Sequence, residues 1–329
     1  NLFIVFLIFY SVFLIVLGLS INELNRATFG HLQALLLPII GINFGFFLAK
    51  YKPEVLSKIY EGAYNLGLLL SFIIVCYFFL YQFSYITYFG ASSLLFVPIF
   101  WAFLEKKWLI FFLFVTVLIL TGKRSATLAI LAVIIISLFK DIGIKKFISI
   151  IGLGASLGFF FIFFEGGEMD LFKRYKIIFE ALTSEEINLK KLDVATSGRI
   201  NDFIGVVIEI EKKPIFWLTG KGIGALFTVI IPSGTWVTHY SHFTPISYVF
   251  LGGGILFLAV YGKLFILFIY CMKNINNFYC MFFIYYFVTS LIGGAIYFSD
   301  PFIWIFVGVV IYQRKYIIKN RNLNKTILN

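Results

Sequence analysis

The sequence predicts an all-α polytopic membrane protein of about ten transmembrane helices with one large loop outside the membrane. Of its 329 residues, 61% are hydrophobic and 13% are charged, and the mean hydropathy is +0.97. A soluble domain carries roughly 25% charged residues, so this chain has too much apolar surface for one soluble core. The apolar residues also fall into runs long enough to cross a bilayer, and the cations gather at the ends of those runs.

Ten apolar runs are candidates for transmembrane helices, because a crossing helix needs roughly 17 to 25 apolar residues. They are 2–21, 31–49, 63–82, 85–104, 108–121, 125–139, 147–164, 244–271, 278–298 and 301–318, and two of them are short. We find no internal repeat, low-complexity tract or linker between them.

The distribution of lysine and arginine predicts the orientation of these runs. Most of the cations follow the even-numbered runs, whereas the short connections after odd-numbered runs hold only Arg26, Lys123 and Arg124. Cytoplasmic loops carry the excess of Lys and Arg, so both termini are predicted to be cytoplasmic. The predicted parts are 1–164 with seven helices, an extracytoplasmic loop at 165–243, and 244–329 with three helices and a basic tail.

The net charge of +11 does not indicate nucleic-acid binding, because the cations flank membrane runs and suit topology and anionic headgroups. The cysteines, Cys76, Cys271 and Cys280, all lie within apolar runs and imply no disulfide framework. Because the chain begins with Asn1 rather than Met, we expect further N-terminal residues to precede it.

Within the loop, residues 197–213 predict a helix that lies on a surface. Its apolar residues follow the spacing of one helical face, and Pro214 ends it. They are Ile200, Phe203, Ile204, Val207 and Ile208. Arg199 lies in the first turn, where a cation opposes the helix dipole unless an anion binds there. This placement indicates a phosphate ligand.

A second cationic helix start occurs at Lys123 and Arg124, on the side of the membrane that the topology predicts to be outer. Ser125 or Thr121 can cap the following helix, so that the helix N-terminus and both cations converge on one anion. The alternative is a pair of interfacial anchors whose charges reach the headgroups. The segment is not a phosphate-binding Walker A loop, because Val117 occupies the position of its first glycine.

The run Gly220-Lys221-Gly222-Ile223-Gly224 has two interpretations, a flexible turn and a phosphate cradle. His239 and His242 face one side only if the eighth helix begins early. Either a histidine acts as a base near the membrane surface or both are interfacial residues, and a zinc site lacks a nearby third ligand. Asp300 is interpreted as a turn residue.

These segments resemble the superfamily of O-antigen polymerases and O-antigen ligases between about residues 120 and 255. Thr121–Ala126 is similar to the family's T-G-S-R-G-A, with Lys123 and Ser125 departing from it. The stretch from Ser197 to Gly222 is similar to S-G-R … N-P-L-F-G-x-G, with Lys213 in the Asn position. His242–Ile255 is similar to H-N-x-Y-L … G-x-x-G, with Phe243 in the Asn position.

The resemblance implies a GT-C-like glycosyltransferase in the bacterial inner membrane that needs neither metal nor cofactor. It implies inverting transfer of a glycan from undecaprenyl pyrophosphate to an acceptor outside the membrane, in O-antigen or capsule synthesis. Arg124 and Arg199 would hold the pyrophosphate and His242 would be the base. Lys123, Lys221, His239 and Ser197 would bind substrate, and the base is either His242 or His239. Partners would be membrane lipids, a chain-length regulator and a flippase.

Polymerase is the preferred activity because the chain departs from several motif positions, as the family's polymerases do. The alternative within the family is a ligase that transfers polymer to the lipid A core of lipopolysaccharide. A transporter of polysaccharide or lipid-linked sugar is the alternative from another class, and it predicts repeat symmetry and paired broken helices.

Overall fold

The computed structural model describes residues 2–80, 92–120, 124–141, 199–231, 234–241, 243–293 and 301–327. These residues are mostly helical. The helices are α1 (Leu2–Ile21), α2 (Arg26–Tyr51), α3 (Pro53–Leu80), α4 (Ser92–Leu104), α5 (Trp108–Leu120), α6 (Arg124–Asp141), α7 (Arg199–Glu211), α8 (Phe216–Thr219), α9 (Thr244–Lys273), α10 (Phe278–Gly293) and α11 (Pro301–Ile327). One hairpin, β1 (Phe227–Ile231) and β2 (Gly234–Thr238), lies between α8 and α9.

Four helices of the described chain are long and apolar enough to cross a membrane, namely α1, α2, α9 and residues Pro53–Tyr77 of α3. This indicates a membrane protein. Nine of the ten predicted runs overlap a helix, and the run 147–164 lies outside the described residues. The count of ten crossings stays a prediction, because several of the other apolar helices are shorter.

Helix α2 begins five residues earlier than its predicted run because Asn25 caps it. The Asn25 Oδ1 accepts from the backbone N–H groups of Ala27 at 2.8 Å and Thr28 at 3.3 Å. The Thr28 hydroxyl in turn accepts from the Asn25 N–H at 3.2 Å, which completes a capping box. The cap therefore places the polar start of α2, including Arg26, next to the end of α1.

The chain divides into two compact units, residues 1–61 with 201–329, and residues 62–200. This division is based on packing, and the predicted three parts, which are based on topology, stay a prediction.

In the first unit, α2 packs closely along α11. A Cβ atom on Gly45 would lie 1.9 Å from the Ile305 carbonyl oxygen, and one on Gly308 would lie 2.2 Å from that of Ile42. Gly41 and Gly45 form a G-x-x-x-G pattern, which lets two helix backbones approach closely.

In the second unit, α4 and α5 form a helical hairpin around a tight turn. Lys106 adopts φ 56° in that turn, and the Lys107 ammonium lies 4.0 Å from the centre of the Trp101 ring. Phe100 and Phe114 are fully buried between the neighbouring helices. Buried aromatic rings of this kind contribute strongly to core packing.

The prediction of an all-α fold is incomplete, because β1 and β2 pair as an antiparallel hairpin with Val229 opposite Trp236. The sequence F-T-V-I-I … G-T-W-V-T is rich in β-branched and aromatic residues, which is typical of strands. This signal was available in the sequence. The hairpin packs against α7, where a Cβ on Gly205 would lie 2.5 Å from the Thr228 carbonyl oxygen.

Helix α7 ends before Pro214, as predicted, and the side of α7 that packs on the protein contains Gly205. Asp202, Val206 and Ile210 are buried, whereas Phe203 is 41% exposed and Ile208 is 51% exposed. The small side of α7, with Gly205 at its centre, fits the hairpin. The larger apolar residues therefore remain on the surface, as the prediction of a surface helix requires.

Candidate functional site

Helix α9 is broken near its first third at Gly252 and Gly253. Gly253 adopts φ 63° and ψ −171°, a conformation that interrupts the helix. The three carbonyl groups at the break are bonded elsewhere. Those of Phe250 and Leu251 accept from the backbone N–H groups of Lys221 at 2.9 Å and Gly222 at 3.0 Å. The Gly252 carbonyl accepts from the Tyr10 hydroxyl at 2.8 Å.

The glycine loop, which we define as Gly220–Gly224, closes this break. Besides the two donors just named, the Gly220 N–H donates to the Phe216 carbonyl at 2.8 Å and the Ile223 N–H to the Leu14 carbonyl at 3.3 Å. The Gly224 N–H donates to His31 Nδ1 at 3.0 Å. Because all five amides are bonded to the protein, the backbone of this loop has no donor left for a phosphate. The loop does turn, with positive φ at Gly220, Gly222 and Gly224, but its amides do not form a phosphate cradle.

The glycine loop and the helices around it can pack this closely only because glycines, which have no side chain, lie at the contacts. Gly222 has φ 73°, and a Cβ there would lie 2.5 Å from the backbone nitrogen of Gly18 in α1. A Cβ on Gly253 would lie 2.0 Å from the Leu218 carbonyl oxygen of α8. L-residues rarely adopt positive φ, and real Cβ contacts do not occur at these distances. The backbones of α1, α8, α9 and the loop are therefore in direct contact.

Two asparagines between α1 and α2 bind the carbonyl side of the same loop. Asn22 Nδ2 donates to the carbonyl oxygens of Lys221 at 2.8 Å and Ile223 at 2.9 Å. Asn25 Nδ2 donates to that of Gly224 at 2.9 Å. These bonds join segments about 200 positions apart and satisfy polar groups that are removed from water.

His31, which the sequence analysis did not select, connects the glycine loop to His239. Its side chain is fully buried in α2. Because Nδ1 accepts from the Gly224 N–H, the ring proton is assigned to Nε2, which donates to the His239 carbonyl at 2.9 Å. Both ring nitrogens are thus used in the neutral form, and a doubly protonated ring would have no acceptor for the Gly224 N–H. The available signal was a histidine close to the capped start of an apolar helix.

The ring of His239 lies over the start of α2. Its centre is 5.5 Å from that of His31, and a Cβ on Gly30 would lie 2.7 Å from His239 Nε2. Burial, with a smaller contribution from the charge of Arg26, lowers the pKa of His239 below its usual range. The ring is therefore neutral at pH 7. Because α9 begins at Thr244, His239 precedes this helix.

Lys221 holds α7 to the broken helix. Its ammonium lies 2.8 Å from Glu209 Oε2, and the side chains of both residues are 13% exposed. Lys212 also pairs with Glu209. Burial opposes ionisation of Glu209, but hydrogen bonds and charge from Lys212 and Lys221 outweigh it, so its pKa lies below its usual range. The Lys221 ammonium is therefore already bonded to a carboxylate.

The other predicted site residues are located as follows. His242, Lys123 and Ser197 lie outside the described residues. Arg124 and Arg199 are the first residues of α6 and α7, and both belong to the second unit. The structure thus brings Lys221 and His239 together through the glycine loop and His31. The catalytic and binding roles of all seven residues stay predictions.

The fold and this site define a class, a mostly helical protein whose described residues include four helices suited to a membrane and a broken helix that a glycine loop closes. Comparison with family models, curated proteins and solved structures finds no match for the chain.

Proposed function

We propose that the chain is a multi-pass glycosyltransferase of the bacterial inner membrane that polymerises undecaprenyl-pyrophosphate-linked oligosaccharides outside that membrane. One observation supports this proposal most. Two separate blocks of the family resemblance, Pro214–Gly222 and Phe243–Gly254, form one structural unit at the break in α9. One glycine from each block meets there, because a Cβ on Gly220 would lie 2.5 Å from the backbone nitrogen of Gly252. The same packing accounts for one departure, because Phe243 contacts Phe203 of α7 with ring centres 6.2 Å apart.

The proposed chemistry needs cations at the leaving group and a neutral base at the acceptor. Arg124 and Arg199 are each the first residue of a helix, where the helix N-terminus adds to their attraction for a pyrophosphate. His242 is the proposed base and His239 is the alternative, which its lowered pKa keeps in the neutral form that a base requires. The two arginines stabilise the negative charge that develops on the pyrophosphate as its bond to the sugar breaks, while the base takes the proton of the acceptor hydroxyl that forms the new bond.

A transporter is the second candidate, since broken helices are typical of transporter substrate sites. In such sites the free carbonyls of the break coordinate an ion or substrate. In α9 the carbonyls of Phe250, Leu251 and Gly252 accept from the protein itself. This favours a structural role for the break and therefore the glycosyltransferase.

The test is elongation by the purified full chain in nanodiscs, with a defined undecaprenyl-pyrophosphate-linked repeat as the only substrate. Arg199→Ala removes a charge-assisted contact of roughly 1.5–3 kcal/mol, which corresponds to about a 10- to 100-fold loss of kcat/KM. Arg199→Lys restores only part of it, because an ammonium cannot bind two oxygens as a guanidinium does. His242→Ala lowers kcat by about a hundredfold or more.

The matched control is Lys58→Ala, which removes an exposed cation on α3 and leaves elongation unchanged. His239→Ala distinguishes the two histidines, since only the base lowers kcat without weakening substrate binding. Normal elongation by both Arg199→Ala and the His239, His242 double variant would overturn the proposed mechanism. In a parallel assay to which lipid A core is added, transfer to the core with no elongation would identify the ligase alternative instead.

A further inference from the structure

A cavity of about 600 Å³ lies between α2, α9 and α11, away from the break in α9. It is lined by Ile42, Asn43, Phe46, Lys263, Leu267, Ile311, Arg314 and Lys315. Lys263 follows Gly253 by ten positions, which places the cavity about 15 Å further along α9. All eight residues belong to the first unit. Its size is within the range of small-molecule sites, which is about 300–1,000 Å³.

Three cations converge on this cavity without a carboxylate. Helices α2, α9 and α11 contain no Asp or Glu at any position. Among the described residues, Lys263, Arg314 and Lys315 form no ion pair, whereas Lys212 and Lys221 pair with Glu209. Like charges that share a cavity repel each other unless an anion neutralises them. The charge of this lining is therefore complementary to an anion.

The rest of the lining identifies that anion as the head of an amphiphile. Ile42, Phe46, Leu267 and Ile311 are apolar, and α2 and α9 are both candidate membrane spans. A free inorganic anion gains nothing from these apolar contacts. A phospholipid gains from the whole lining, because its phosphate pairs with the cations and its acyl chain packs on the apolar residues. Basic pockets between transmembrane helices typically bind lipid headgroups.

We propose that this cavity binds the phosphate of an anionic phospholipid with a hydroxyl-bearing head, such as phosphatidylglycerol. The Arg314 guanidinium presents a donor fork to two phosphate oxygens, and Lys263 adds a point charge. Asn43 Nδ2 donates to the Ile39 carbonyl at 2.8 Å, so its Oδ1 accepts from the headgroup hydroxyl. The exposed Lys315 lies at the rim. The proposal does not rest on the proposed glycosyl transfer.

Native mass spectrometry of the full chain, delipidated in detergent, measures this binding directly. The probes are phosphatidylglycerol, phosphatidylcholine with the same acyl chains, and inorganic phosphate. We expect phosphatidylglycerol to bind at least tenfold more tightly than phosphatidylcholine, because the latter's choline cation faces the same three cations. We expect inorganic phosphate not to compete at millimolar concentration.

Variants assign the site. Arg314→Gln and Lys263→Met each weaken phosphatidylglycerol binding by about ten- to a hundredfold, the loss expected for one charge-assisted bond. The control Lys273→Gln, which removes the last cation of the same helix α9, leaves binding unchanged. Equal affinity for the two lipids, competition by inorganic phosphate, or equal losses in Lys273→Gln and Arg314→Gln would each overturn the proposal. If a cavity variant fails to fold, the lipid selectivity of the unaltered chain still decides the matter.

Discussion

Replacing Gly253 by alanine tests whether the break in α9 is held by backbone contact. The added methyl group would lie 2.0 Å from the carbonyl oxygen and 2.2 Å from the carbonyl carbon of Leu218. Both are backbone atoms, so the clash cannot be relieved by a side-chain rotation. Helix α8 must therefore move away from α9, and the glycine loop that follows α8 must move with it.

The expected cost has two parts. An alanine held at φ 63° and ψ −171°, a region that essentially only glycine adopts, costs about 1–3 kcal/mol in the backbone. Moving the glycine loop loses the hydrogen bonds from Lys221 and Gly222 to the break, each worth about 0.5–1.5 kcal/mol. The sum is about 2–6 kcal/mol, a large fraction of the roughly 5–15 kcal/mol by which a domain is stable.

The measurement is thermal unfolding of the full chain in detergent micelles. Gly262→Ala is the matched control, because Gly262 lies nine residues on in the same helix with nothing within 4 Å of its added Cβ. That change should be neutral or stabilise by about 0.5–1 kcal/mol, as alanine favours helix over glycine. If Gly253→Ala and Gly262→Ala unfold at the same temperature, the account of the break is wrong.

Three further predictions concern His31, Glu209 and the topology. His31→Phe leaves the Gly224 amide without its acceptor and should lower the free energy of unfolding by about 1–3 kcal/mol. The same melting experiment measures this loss. A variant as stable as the parent would contradict the assigned hydrogen bonds. The pKa of Glu209 is lowered in the folded protein. Ionised Glu209 therefore stabilises the fold at pH values above its unfolded pKa of about 4.3, and this stabilisation is lost as the pH falls through the lower folded pKa. Glu209→Gln should therefore be less stable than the parent at pH 7 and approach it in acid, and a constant difference from pH 7 to pH 3 would exclude the effect. In intact cells an impermeant thiol reagent should label a cysteine introduced at Glu185, which lies outside the described residues, but not one introduced at Lys319. The reverse labelling pattern would overturn the predicted topology.

The sequence predicted the helical elements because their cause is local. A run of apolar residues must bond its own backbone when water is absent, so composition alone indicates a helix such as α1 or α9. The start of α7 at Arg199 and its end before Pro214 also depend only on nearby residues. The position of α2 was less accurate because the cap at Asn25 extends the helix beyond its apolar run.

The site was harder to predict because its contacts join distant positions. The break in α9 lies within an uninterrupted apolar run, and what stabilises it is a loop more than 25 residues earlier. The role of His31 depends on Gly224, which is 193 positions away. Gly252, Gly253 and the glycine loop were recognised as parts of a motif, but the sequence alone does not indicate that their backbones are in contact.

The bond between Tyr10 and Gly252 spans 242 positions and has a consequence for the order in which the chain is made. Ribosomes add about 5–20 residues per second, so α1 waits roughly 10–50 seconds before its partner in α9 is synthesised. During this interval the Tyr10 hydroxyl and both nitrogens of His31 lack the partners that they have in the finished protein. These polar groups of the first two helices must therefore form hydrogen bonds with water, lipid headgroups or the insertion machinery until the last third of the chain has left the ribosome.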